Sequence, residues 1–382
     1  MIRRTLYDIA DQMLDKYPII TITGPRQSGK TTFAKQLRPD YQYVSLEDPD
    51  NRNFAQVDPR GFLQTWHSGV IIDEVQYAPD LFSYLQTYTD QRQRNGEYIL
   101  TGSQNFLLME RITQSLAGRV AVFALLPFSY AELSGSSFAP ADRNEYLFRG
   151  SYPRQYVQNI PTPGFYADYM MTYLERDVRQ IVNVQSLALF QRFMQLLAGR
   201  TGQILQQTNL AVEVGIDNKT VSSWLSVLET SYIIYRLPPY YNNFKKRITK
   251  SPKIYFYDTG LAAYLLGMRS AQEMDVHFAR GALFENLVIN EMIKKHYHRG
   301  ERVLFYFWND SQSHEIDLLF DLGMERHAYE IKMGQTIQPA FFDGLRYLQK
   351  IAPDTQLHLV YGGSTPQQRS DMQVHTFDEL FL

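Results

Sequence analysis

The 382-residue sequence contains no cysteine. That excludes disulfide staples, thiolate zinc sites and thiol catalysis together, and it fits a reducing cytoplasm. Charge of one sign is also missing: 38 Lys and Arg stand against 40 Asp and Glu, for a net charge of −2. A whole-chain polycation that coats nucleic acid is therefore excluded, while a local basic face is not. Long apolar runs are absent as well. The most apolar stretch, Val120 to Phe128, is far shorter than the ~18 residues a spanning helix needs. The basic start MIRRTLYDIADQMLDKY meets acidic residues before any apolar targeting core develops. These features predict no membrane partner and a cytoplasmic location. Neither an internal repeat nor a low-complexity segment interrupts the chain. What is abundant is apolar and aromatic: 44% hydrophobic residues, 27 of the residues being Tyr. That supports cores for two or three domains and excludes a disordered or fibrous chain.

Apolar spacing predicts a helix over 4–16, ended by Pro18, then a buried strand running into Gly24. Further strands are expected at 41–46, 69–73, 98–101 and 119–125, separated by helical stretches, which is the pattern of an α/β parallel sheet. Residues 24–31, GPRQSGKT, match G-x-x-x-x-G-K-[ST] between that strand and a helix. Gly24, Pro25, Arg26, Gln27, Ser28 and Gly29 supply a loop whose N–H groups curl around phosphates, helped by the helix dipole. Lys30 would reach the β- and γ-phosphates, Thr31 would hold Mg²⁺, and Thr32 completes the nucleotide-binding set. The expected ligand is ATP with Mg²⁺. Residues 70–74, VIIDE, end a buried strand in two carboxylates. Asp73 is placed to hold Mg²⁺ and Glu74 to polarise an attacking water, which favours hydrolysis over a small-molecule kinase. After the strand at 98–101, Ser103, Gln104 or Asn105 is a candidate γ-phosphate sensor, and Gln104 enters the nucleotide set. Arg119 is either an arginine finger given to a neighbouring subunit of a homo-oligomer or a surface arginine opening a strand.

The remaining chain carries two other patterns. Short helices over 206–214 and 218–228 flank Gly215, with strand character at 232–235: a helix-turn-helix with a wing. Asp217 or Asn218 can cap the second helix, and Lys219 and Thr220 are candidates for DNA contact. Lys245, Lys246, Arg247, Lys250 and Lys253, interleaved with Tyr240, Tyr241 and Phe244, read as a wing on the DNA backbone or as a solvated loop. Farther on, a helix at 284–296 precedes strands at 303–308, 315–321 and 327–332, a helix at 341–351 and a strand at 357–361. Asp317 and the run Glu330-Ile331-Lys332 fall on two successive strands, and Glu330 and Lys332 share a face because strand side chains alternate. With Glu285 they would hold a second Mg²⁺ or Mn²⁺ by oxygen ligation, Lys332 activating water against a phosphodiester. This set resembles the PD-(D/E)xK nucleases, although Ile316 stands where their Pro usually precedes the Asp. Such a fold can also serve as a DNA-binding or docking platform without catalysis.

In order, GPRQSGKTT, IIDEVQYAP, LTGSQNF, SLAGR, FRGSYPR, YLERDV, YDTGLAAYLLG, GALFENLVINE, EIDLLF and YEIKMG resemble the AAA-type ATPases of bacteria and archaea that carry a C-terminal domain of unknown function. The resemblance spans nearly the whole chain. It implies an AAA+ P-loop NTPase core (1–150), a helical lid (151–184), a winged helix (185–267) and a restriction-endonuclease-like α/β end (268–382). It also makes Arg149 or Arg154 a candidate second sensor of the nucleotide.

Overall fold

Ile19–Thr23 (β1), Gln42–Ser45 (β2), Val70–Asp73 (β3), Tyr98–Gly102 (β4) and Val120–Ala124 (β5) form a sheet in the order β2-β3-β4-β1-β5. Every pairing in it is parallel. The chain's architecture is given by a computed structural model that describes residues 2–66, 69–103, 112, 115–174, 187–240, 251–310, 312 and 314–382. It separates into two units, residues 1–128 with 230–232 and 296–301, and residues 129–229, 233–295 and 302–382.

Parallel strands need a crossover between them, and both faces of the sheet must then be covered. β1 is buried along its whole length, and its successive residues serve opposite cores. Ile19 packs with Ile72, Leu100, Phe62 and Phe82 on the side of α3 (Pro49–Val57), α4 (Pro59–Gln64) and α5 (Leu81–Arg92). Ile20 and Ile22 pack with Leu14, Phe33 and Leu37 on the side of α1 (Tyr7–Leu14) and α2 (Lys30–Leu37). The carboxyl ends of β1, β3 and β4 therefore meet at one edge, where ligands bind in open α/β sheets.

The second unit begins with short helices at Tyr130–Ser134, Arg143–Arg149, Pro153–Val157 and Thr162–Tyr169. Helices Leu187–Ala198, Gln207–Val214 and Asn218–Thr230 follow, then an antiparallel pair, Ile234–Leu237 (β6) and Lys253–Phe256 (β7). After helices Thr259–Leu265 and Arg280–Tyr297 come Phe305–Asn309 (β8), Glu315–Leu322 (β9), Glu325–Lys332 (β10), Thr355–Tyr361 (β11), Gln367–Gln368 (β12) and Gln373–Thr376 (β13). They form a sheet ordered β12-β13-β11-β10-β9-β8, with Asp343–Ile351 as the helix between parallel β10 and β11. The order helix, three strands, helix, strand agrees with the sequence reading; β12, β13 and the closing helix Phe377–Phe381 add to it.

Two sequence motifs explain how this unit is tied together. Asp258, 2% exposed, accepts from Ser151 N (2.8 Å), Ser151 Oγ (2.9 Å) and Tyr166 Oη (2.5 Å). It also caps helix 259–265 through Leu261 N–H at 2.9 Å. Gly150 approaches so closely that a Cβ would stand 2.1 Å from Tyr166 Oη, at a φ of +74° that already favours glycine. FRGSYPR and YDTGLAAYLLG thus converge on one buried carboxylate. In GALFENLVINE, Asn286 receives Phe256 N–H at 3.1 Å and returns a bond to Phe256 O at 2.8 Å. Asn290, one turn on, donates to the same carbonyl at 2.9 Å.

Among the described residues no helix is long and apolar enough to cross a membrane.

Candidate functional site

The loop after β1 has the conformation its sequence requires. Gly24 has φ +144°, and a Cβ there would sit 2.3 Å from the Leu125 carbonyl oxygen, so only glycine lets the chain turn beside β5. Gln27 also takes positive φ, and Gly29 is the N-cap of α2. Lys30 is buried and donates back to the carbonyls of Gly24 (3.0 Å) and Pro25 (2.8 Å), inside the curl of the loop. Burial lowers its pKa to about 8, against the pull of Glu74 and Asp73 and with the push of Arg26. Ser28 Oγ and Gln27 Oε1 are buried without hydrogen-bond partners; of the two, the Ser28 hydroxyl is the donor that a phosphate-binding loop can turn to its ligand. These features fit a nucleotide triphosphate.

Asp73, 7% exposed at the end of β3, is the most heavily bonded side chain of this edge. Thr31 donates to its Oδ2 at 2.9 Å and Tyr43 to the same oxygen at 2.8 Å, while Thr101 of β4 donates to Oδ1. Thr31 and Asp73 are thus brought together as the sequence predicts for a shared Mg²⁺, and they fit that ion's oxygen chemistry. Glu74 has φ +55°, a strained value for a non-glycine residue, which turns its carboxylate off the strand axis. Its Oε2 accepts from Gln76 and, at 3.1 Å, from Ser103. Thr32 is exposed on α2; Gln104 and Asn105 lie outside the described residues. Arg119 stands where β5 begins, with its carbonyl receiving Ile19 N–H at 3.3 Å. That is the sheet edge opposite the P-loop, so it does not reach its own chain's loop; its guanidinium forms a two-point pair with exposed Asp90 at 2.6 and 2.9 Å. Arg149 donates to Gln155 O at 3.1 Å and covers the Tyr156 ring, and Arg154 bonds Gln158.

Residues 16–134 match the AAA domain family model. That stretch, with its P-loop and parallel sheet, is similar to AAA-type P-loop ATPases. Residues 140–272 match "Domain of unknown function (DUF8612)" and residues 280–380 match "Domain of unknown function (DUF4143)". The whole chain is similar to an uncharacterised protein of Mycobacterium tuberculosis, 29% identical over 366 residues that cover 94% of this chain and 80% of the relative. One from Haemophilus influenzae is 22% identical, covering 75% and 77% respectively. Among solved structures, the Walker-type ATPase of Pyrococcus abyssi is 16% identical with a TM-score of 0.46, over 68% of this chain and 94% of that one. Around the P-loop, sequence reading missed Tyr43, Gln76 and Arg4. Arg4 is buried and donates to Ser28 O (3.1 Å) and Leu126 O (2.5 Å), bracing the loop from behind. Only its place in a basic N-terminus signalled it. Tyr43 is the second residue of the short strand β2, with Lys35 over its ring at 3.5 Å, and nothing in its neighbourhood marks it.

In the second unit, Glu285, Asp317, Glu330 and Lys332 do come together. Asp317 Oδ2 accepts Ile331 N–H at 2.8 Å and lies 3.7 Å from Lys332 Nζ, and Lys332 also pairs with Glu330. Burial, then the charge of Asp317, raises both Glu285 and Glu330 above the usual carboxylate range. The cation that Glu285 and Asp317 face is Lys253, and among the described residues no cluster of His, Asp or Glu has metal-ligand geometry. Lys253 is therefore not part of an exposed wing: it is 3% exposed because β7 points it into the unit. Glu315 joins the cluster by the same i, i+2 rule that pairs Glu330 with Lys332. Of the DNA-contact candidates, Lys219 is exposed, and the Thr220 hydroxyl is engaged with the capping Asp217 at 2.8 Å. Lys245, Lys246, Arg247 and Lys250 lie outside the described residues.

Proposed function

We propose that this chain binds and hydrolyses ATP and uses the nucleotide state to control DNA contact by its second unit. The observation that carries the ATP half is the convergence of Thr31, Asp73, Lys30 and Glu74 at one sheet edge, with Thr31 and Asp73 already in contact at 2.9 Å. Lys30 holds the phosphates, and Ser28 offers them a buried hydroxyl donor. Thr31 and Asp73 hold Mg²⁺, which supplies charge neutralisation of the phosphates. Glu74 accepts a proton from the attacking water once Gln76 and Ser103 release it. Arg119, half-buried beside Asp90 and far from its own loop, serves a neighbouring copy's site.

The DNA half is supported by the order of three helices and an antiparallel strand pair, the order of a winged helix. Helix 218–230 opens with exposed Lys219 behind the Asp217 cap, so its first turn faces solvent. Arg149 and Arg154 remain candidates for a second sensor. ATP turnover measured with and without duplex and single-stranded DNA tests the coupling. Turnover is expected to rise with DNA, and the rise to vanish in Lys219→Glu. Turnover indifferent to both forms of DNA would favour the rival reading, a nucleotide switch for a protein partner, for which the lysine-filled carboxylate cluster also speaks.

A further inference from the structure

Lys253 opens β7, a strand buried along its length. Alternation puts Lys253 and Tyr255 on one face of that strand, and both reach the same group: Lys253 Nζ lies 3.1 Å from Glu285 Oε1, and Tyr255 Oη donates to that oxygen at 2.5 Å. Lys253 also pairs with Glu315 and stands 3.6 Å from Asp317 Oδ1. One ammonium thus joins β7, helix 280–297 and β9. The other Asp317 oxygen already accepts Ile331 N–H and faces Lys332. Burial disfavours the charge on Lys253, yet Glu285, Asp317 and Glu315 outweigh it and its pKa is raised.

A divalent ion shared by Asp317 and Glu285 needs oxygens of both at about 2.0–2.6 Å. The space between those oxygens holds Nζ of Lys253. An ammonium on a buried four-carbon stem, with its charge matched on three sides, cannot leave without stranding carboxylates in a low-dielectric interior. Nor does it offer an open coordination position that would acidify water.

We infer that Lys253 is the resident cation of this cluster and closes the Glu285–Asp317 pair to divalent metal, so that the nuclease-type carboxylates of this chain brace its second unit instead of cutting DNA. The inference rests on the nuclease-type reading of Asp317, Glu330 and Lys332, and it predicts a site that a single substitution opens.

The test is Mn²⁺ binding, read by electron paramagnetic resonance and by the thermal unfolding midpoint, on the full chain carrying Asp73→Asn so that the P-loop site does not contribute. The parent is expected to bind no Mn²⁺ in the second unit and to unfold at a midpoint indifferent to the ion. Adding Lys253→Met should lower the midpoint, create a Mn²⁺ site and let the ion restore the midpoint, an effect lost again in Lys253→Met/Asp317→Asn. Mn²⁺ bound by the parent and released by Asp317→Asn would overturn the inference, as would a folded Lys253→Met protein that binds none. If Lys253→Met does not fold, the parent titration decides alone. DNA cutting is scored separately: a variant that gains Mn²⁺ but leaves DNA intact upholds the role of Lys253 and removes the nuclease kinship.

Discussion

Lys30 carries two opposed demands. It must be charged to hold phosphates, yet burial lowers its pKa to about 8, because Glu74 and Asp73 only partly offset the loss of water. A triphosphate placed beside it adds negative charge and raises that pKa. Nucleotide binding near pH 8 should therefore take up protons, whereas at pH 6, where Lys30 is protonated either way, it should not. Calorimetry in buffers of different ionisation enthalpy measures the difference, and Lys30→Met should abolish it. Asp73 shows the same economy of placement, since three hydroxyls already orient it. Tyr43→Phe removes one of them and should raise the Mg²⁺ concentration needed for half-maximal turnover by about 10-fold or more, as loss of a hydrogen-bond partner of a metal ligand does. The P-loop and the Asp-Glu pair were legible because phosphate chemistry demands those residue types at fixed spacing. Tyr43, Gln76 and Arg4 were not, because each acts through a contact made across the fold by a residue type common everywhere.

Among the elements, strands and helices were read well where one periodicity held: all five strands of the first sheet and the helix-strand order of the C-terminal sheet follow from alternation and apolar spacing. Of the elements that escaped, which include β13 and the helices Thr259–Leu265 and Phe377–Phe381, two show the physical reason plainly. β12 is two residues long and exposed, too short to show a period. β7 begins with a lysine, which composition assigns to solvent and the fold assigns to a buried cluster. The amide bonds of helix 280–297 give a direct test. Asn286→Ala leaves the Phe256 N–H without its partner in a buried strand and should cost roughly 1–3 kcal/mol in urea unfolding, the penalty of an orphaned buried polar group. A second element-level feature is the file of imidazoles across β10, β11 and β13. His358 lies 3.2 Å from His327 and 3.1 Å from His375, which in turn meets Glu379, while Glu325 stands beyond His327 and Tyr329 stacks on His358. Burial, then the neighbouring His375 and His327, lowers the His358 pKa to about 3. Unfolded, it protonates near 6.5, so between those values the unfolded chain binds more protons and stability falls as pH drops. Inside that window the fall reaches at most about 1.4 kcal/mol for each step of one in pH. His358→Gln should flatten the fall in stability between pH 6 and pH 4, read as urea midpoints across that range.

For the molecule as a whole, the proposed scheme has an AAA-type P-loop domain driving a chain whose second unit faces DNA. In that proposed scheme Arg119 serves a neighbouring copy. It pairs with Asp90 at the surface, so Arg119→Ala should leave the unfolding midpoint unchanged while lowering turnover, and the loss should be largest at protein concentrations where copies of the wild type associate. Sedimentation and turnover measured over the same concentrations check this. ATP hydrolysis itself is decided by steady-state turnover of the wild type beside Glu74→Gln, with nucleotide binding measured on the same samples. The wild type is expected to turn over, and Glu74→Gln to lose about 10²-fold or more, the range expected for removing a general base, with binding retained. Undiminished turnover in Glu74→Gln, or a wild type that binds ATP without hydrolysing it, would refute the assignment.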